Sequence, residues 1–127
     1  MKLQKQPQPL LRRVRQNKFN LTMITLNVII QPMIKSFSDK STEALFNRQR
    51  VKKLPSTILK VAYRKLLIID AAERLDDLKI PPGNRLKKLT GNLSGKYSIR
   101  INEQWRIIFS WKQNNAYEVE IIDYHKG

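Results

Sequence analysis

Alternation of apolar and polar residues across YSIRINEQWRIIFSWKQNNAYEVEIIDYH, Tyr97 to His125, restricts the fold more than any other stretch of the chain. Tyr97, Ile99 and Ile101 form one apolar row; Trp105, Ile107, Phe109 and Trp111 form a second, and Tyr117, Val119 and Ile121 a third. A two-residue period marks strands with one buried face, so the stretch reads as three strands joined by two tight polar turns. A three-residue turn at Asn102, Glu103 and Gln104 pairs Ile101 with Trp105 and sets Arg100 opposite Arg106 on the other face. Like charges directly opposed cost stability unless an anion lies between them. The third strand ends in Asp123, Tyr124 and His125, three side chains able to move protons. Paired arginines beside such a cluster point to binding and cutting a phosphodiester.

The 127 residues suit one domain, and the formal net charge of +15 favours a polyanionic partner such as nucleic acid or a ribosome. The chain has no cysteine and one histidine. That excludes disulfides and thiolate or histidine-rich metal sites, and fits a cytoplasmic protein acting without metal or cofactor. No apolar run is long enough to cross a membrane.

Residues 1–32 carry Lys2, Lys5, Arg12, Arg13, Arg15 and Lys18, no carboxylate, and an apolar run from Phe19 to Ile30. A secretory leader has this order, but Asn27 weakens the apolar run and no small-x-small cleavage site follows. A basic arm that orders on RNA and an over-long reading frame with Met33 as the natural start are the other two accounts. Six of the 25 lysines and arginines precede Met33, leaving 19 against ten carboxylates in residues 33–127, a net charge of +9.

Within 33–127 the pattern predicts a short strand at Ile34–Phe37 and N-cap oxygens at Ser38–Asp39 and Ser41–Thr42. A helix then runs through Glu43 to about Gln49. The longest helix spans about Ser56 to Ala72, with Leu59, Ala62, Leu66 and Ile69 as its stripe, Ile58, Val61 and Ile68 widening it, and Lys60, Arg64 and Lys65 largely off it. A helical turn at Glu73–Leu78 breaks at Ile80-Pro81-Pro82-Gly83. A basic strand at Asn84–Leu89 and a loop at Gly91–Gly95 lead into the sheet. The expected class is α+β, with two N-terminal helices packed on a mainly antiparallel sheet.

MIKSF at Met33–Phe37, RLKKLTGNLSGKYSIRINEQWRIIFSW at Arg85–Trp111 and IIDYHK at Ile121–Lys126 resemble the RelE/ParE toxin superfamily, and within it the HigB group of plasmid-maintenance killers. Order and spacing match across 33–127, whereas residues 1–32 have no counterpart. The resemblance implies the RelE-like fold and a ribosome-dependent mRNA endonuclease silenced by a HigA-like helix-turn-helix antitoxin. Promoter DNA would be bound only through the toxin–antitoxin complex. The family's catalytic arginine corresponds to Arg106, and its terminal triplet to Asp123, Tyr124 and His125. Several members carry a lysine just before the loop glycine and a histidine three residues earlier; this chain has Thr90 and Lys87 there, leaving Lys87 or Lys88 to supply the charge.

Metal-free RNA cleavage uses the neighbouring 2′-hydroxyl as nucleophile, giving a 2′,3′-cyclic phosphate and a 5′-hydroxyl, and needs a base, an acid and a clamp on the phosphate. The expected roles are Arg106 as clamp, with Arg100, Arg85, Lys87 and Lys88 on the phosphates. His125 would carry the proton, Asp123 serve as base or orienter, and Tyr124 stack on a base or hold the substrate. Which group is base and which is acid stays open. On the residues alone, Arg106 could instead be neutralised by Glu118 or Glu120, and His125 could be a frayed terminal side chain. The rival functions are a gyrase poison of the ParE type, which shares the fold without cutting RNA, and a toxin impaired by the missing loop lysine.

Overall fold

In the computed structural model, which describes residues 33–124, two helices lie on one face of a four-stranded antiparallel sheet. The basic extension 1–32 and His125 lie outside the described residues. Helix α1 spans Lys40–Phe46 and α2 spans Leu59–Ala71; the strands are β1 Lys87–Lys88, β2 Tyr97–Arg100, β3 Trp105–Lys112 and β4 Asn115–Asp123, adjacent in chain order. The α+β class and its antiparallel sheet match the reading of the sequence.

Local chemistry explains where the helices begin. Asp39 caps α1, its carboxylate accepting the Thr42 amide at 3.3 Å, so the helix starts three residues before Glu43. It ends at Phe46, short of Gln49, because the chain turns left-handed at Arg48 (φ 59°). Pro55 leads into a 3₁₀ turn at Ser56–Ile58 that continues into α2. Ile58, Ala62, Leu66 and Ile69 of that stripe pack on Ile99, Ile107, Phe109, Val119 and Ile121 of the sheet. Full burial of the branched and aromatic side chains among these stabilises by about 1.5–3 kcal/mol each.

The β2–β3 register follows the expected turn. Ile101 donates its amide to the Trp105 carbonyl at 2.9 Å, and the ladder pairs Tyr97 with Phe109, Ile99 with Ile107 and Arg100 with Arg106. Segment 34–37 forms two isolated parallel bridges to β4, Ile34 to Ala116 and Phe37 to Val119, rather than a full strand.

One correction concerns β4. The register shifts by one between Ile108 and Ser110, so Val119 and Glu118 both lie opposite Phe109, with Glu118 at φ 52°. Its backbone groups go to two serines: Ser36 Oγ accepts the Glu118 amide at 2.8 Å, and Ser38 Oγ donates to its carbonyl at 3.1 Å. The extra residue reverses the alternation. Ala116 therefore occupies the core position opposite Trp111, and Tyr117 pairs with Ser110 on the far face, not with Val119 and Ile121.

Lys65 is the second correction. It lies buried on α2 rather than off the stripe, with its ammonium donating to Asn84 Oδ1. Asn84 is itself fully buried and donates to the carbonyls of Leu78 and Ile80, which locks the Pro-Pro-Gly break against the helix. Removing such a hub leaves a buried cation and two carbonyls without partners. Asn84→Ala is expected to lower stability by about 3 kcal/mol, read as the shift of the urea midpoint at unchanged m-value.

Candidate active site on the face away from the helices

Because β2 and β3 pair Arg100 with Arg106 and Ser98 with Ile108, these four side chains share the face opposite the core. β1 adds Lys87, which pairs with Ser98, whereas Lys88 pairs with Tyr97 and belongs to the helix side. The alternative between the two lysines thus divides by face: Lys87 joins the arginines and Lys88 does not.

Tyr124 completes the cluster. Its amide donates to the Gln104 carbonyl at 2.6 Å just past the end of β4. Its ring centre then lies 5.6 Å from the Arg106 guanidinium and 5.4 Å from the Lys87 ammonium. Cations over an aromatic ring are attracted by its quadrupole. Asp123 sits differently. It pairs with Trp105, on the helix side of the strand, and accepts from the Gln104 side-chain amide at 3.0 Å. The turn at Asn102–Gln104 thereby holds the end of β4 through both backbone and side chain.

The seat of Arg106 is neutral. Nη1 donates to Ser98 Oγ at 2.6 Å and to the Arg85 carbonyl at 3.3 Å. Among the described residues Arg106 forms no ion pair, and Nε and Nη2 carry no hydrogen bond. Glu118 is engaged elsewhere, with Lys96 at 2.8 Å. Arg100 reaches Glu103 at 4.0 Å, at the limit of an ion pair. Burial lowers the pKa of Arg106; Tyr124 opposes that shift, and Arg100 and Arg85 reinforce it. An anion here would relieve the repulsion among the cations, and the Nε–Nη2 edge has the fork geometry that takes two phosphate oxygens. Among the described residues no group of three carboxylate or imidazole side chains converges on a point where a metal could be held.

Arg106, Arg100, Arg85, Lys87 and Tyr124 are thus gathered on or at the rim of one face, while Lys88 and Asp123 belong to the other. Ser98 is a member of the cluster that the sequence reading missed, although the predicted register already carries it to the arginine face, two positions before Arg100.

The profile of a family described as the RelE-like toxin of the type II toxin–antitoxin system HigB matches residues 35–125. Toxin HigB-1 of Vibrio cholerae serotype O1 is 44% identical over 95 residues, covering 74% of this chain and 99% of that protein. Endoribonuclease HigB of Proteus vulgaris is 31% identical over 93 residues, covering 73% of this chain and 100% of that protein. An uncharacterized protein of Haemophilus influenzae is 44% identical over 64 residues, covering 50% of this chain and 63% of that protein. The chain belongs to the HigB-like toxin family of the RelE superfamily.

Two measurements test the electrostatics. Sulfate at constant ionic strength is expected to raise the melting temperature by several degrees through preferential binding to the native state, and Arg100→Gln to lose most of that rise. The second concerns two carboxylates of β4 shifted in opposite directions. The hydrogen bond and charge of Lys96 lower the pKa of Glu118, whereas burial and then Asp39 raise that of Glu120. Glu118 therefore contributes stability above its unfolded pKa that is lost as pH falls through the folded value. Glu120 imposes a cost that appears as pH rises through its folded value. Glu118→Gln should lower, and Glu120→Gln raise, the melting temperature at pH 7; the Glu120 difference should disappear once pH falls below the ordinary carboxylate range, and the Glu118 difference only at still lower pH, below its depressed folded value.

Proposed function

We propose that this chain is the toxin of a type II toxin–antitoxin pair and a metal-independent endoribonuclease that cuts messenger RNA on the ribosome. The observation that carries this reading is Arg106 itself: an arginine among cations, seated on uncharged acceptors, with its Nε–Nη2 edge unbonded among the described residues. The name of the Proteus vulgaris relative supports the reaction class. The acting unit is residues 33–127, with 1–32 a basic extension outside it.

In the proposed reaction the scissile phosphate binds Arg106 through two hydrogen bonds, with Arg100, Arg85 and Lys87 supplying further positive potential. The 2′-oxygen of the preceding ribose attacks phosphorus and the 5′-oxygen leaves, producing a 2′,3′-cyclic phosphate and a 5′-hydroxyl. Charge accumulates on the non-bridging oxygens as the fifth bond forms, and a fixed guanidinium stabilises that state more than the starting diester. Tyr124 offers a ring on which a base stacks beside the phosphate. His125, the next residue and the one imidazole of the chain, is assigned proton transfer. Asp123, held by Gln104, orients the segment carrying both.

Lys88, on the helix side, contributes charge to RNA outside the cleavage point. The basic surface would meet ribosomal RNA, and the ribosome would hold the messenger in a cleavable geometry. A HigA-like helix-turn-helix antitoxin is the proposed inhibitor, and promoter DNA would be bound only in its company. We place the protein in the cytoplasm, where messenger and ribosome are; among the described residues no helix is long and apolar enough to cross a membrane.

Controlled expression of the full chain tests this reading. Messenger cleavage at ribosome-covered positions, with the rate reduced about 10²–10³-fold in Arg106→Ala, is the expected outcome. DNA damage with intact messengers, or undisturbed growth, would overturn it.

A further inference from the structure

Arg106 has three cationic neighbours on its face, Arg100, Arg85 and Lys87, and a long side chain that could relieve the repulsion by swinging toward solvent. What opposes that motion is a pair of hydrogen bonds, both from Nη1. The shorter is to Ser98 Oγ, at 2.6 Å against 3.3 Å for the Arg85 carbonyl. We propose that Ser98 is a positioning residue for Arg106, its hydroxyl fixing the guanidinium plane so that the Nε–Nη2 edge points at the phosphate.

Ser98 is completely buried in β2, between Lys87 of β1 and Ile108 of β3 in the register. A hydroxyl inside a sheet needs a partner, and here the partner is the guanidinium. A threonine or a small apolar residue would suit a strand at least as well as serine, so the strand's own preferences do not explain the choice.

The neutrality of the acceptor matters as much as its position. A carboxylate at this point would make a stronger hydrogen bond, but it would also cancel the charge that the phosphate is to meet. A hydroxyl orients the cation and leaves its charge intact. Binding and orientation then fall to different groups. Arg100, Arg85 and Lys87 still attract RNA when Ser98 is changed, whereas the aim of Arg106, on which stabilisation of the developing charge depends, is lost. Misplacement by about 1 Å of a group acting in the transition state can cost on the order of 10²-fold in rate.

This inference rests on the assignment of Arg106 as the phosphate clamp, and the test separates the two. Single-turnover cleavage of a ribosome-bound messenger is compared for the full chain and for Ser98→Ala, Ser98→Thr and Arg106→Ala. The nitrogen resonances of the Arg106 guanidinium are followed by NMR in the first three. Ser98→Ala is expected to lower the saturating rate roughly 10- to 100-fold, with the dissociation constant for ribosome-bound messenger changed less than about threefold. Ser98→Thr, which keeps the hydroxyl, should restore most of the rate. In the unaltered chain, rotation about the Cζ–Nε bond should be hindered and the two Nη signals distinct; in Ser98→Ala they should merge while the thermal melt stays cooperative. An inactive Arg106→Ala beside a fully active Ser98→Ala with separate Nη signals would overturn the positioning role alone. An Arg106→Ala that cleaves normally would overturn the clamp assignment beneath it. Should Ser98→Ala fail to fold, the threonine variant carries the test: separate signals with restored activity are expected, and full activity with merged signals, or low activity with separate signals, would overturn the proposal.

Discussion

The side-chain oxygen of Asn102 governs the geometry of the whole arginine face. It accepts the backbone amides of Gln104 and Trp105, each at 2.8 Å, and so closes the turn between β2 and β3 at a fixed length. Length sets register, and register in a sheet sets which side every side chain takes. A slip of one residue on β3 would send Arg106 toward the isoleucines and phenylalanine of the core and bring Ile107 out among the cations. The same turn presents the carbonyl and side-chain amide of Gln104 to the end of β4. One polar side chain thus fixes the arginine row and anchors the segment that lays Tyr124 beside it.

Electrostatics in the cluster derive from that geometry. Opposed arginines are costly, and an ordinary protein would dissipate the cost by pairing one of them with a carboxylate. Here Glu118 is committed to Lys96, and Glu120 sits where burial and Asp39 favour its protonated form. The positive potential remains concentrated, and Arg106 is held by oxygens that carry no charge. Such an arrangement is poor for folding stability and well suited to an anion arriving from outside, which is how functional sites commonly depart from the rules obeyed elsewhere in a fold.

Much of this was legible in the sequence because it depended on local chemistry. Alternation through Tyr97–Trp111 and the polar turn at Asn102–Gln104 lie within about fifteen residues, so the opposition of Arg100 and Arg106 emerges from the pattern alone. The stripe of α2 was equally plain. The failures came where a partner sits far away in the chain. The shift at Glu118 depends on Ser36 and Ser38, some eighty positions distant, whose hydroxyls take up its backbone groups. Lys65 reads as a surface residue until Asn84 is known to be buried beneath the Pro-Pro-Gly break. Asp123 illustrates another limit: adjacency to Tyr124 in sequence suggested one cluster, yet neighbouring residues of a strand take opposite faces.

Helix α2 grips both margins of the sheet with buried polar side chains. Lys65 holds the loop whose end carries the Arg85 carbonyl, while the Asp70 carboxylate accepts the amides of Met33 and Ile34, beside β4. A rigid rod fastened at two such points cannot slide along its axis without loosening both margins together. Mechanically, the helix acts as a cross-brace, and any load that displaced it would reach the arginine face from the opposite side of the molecule.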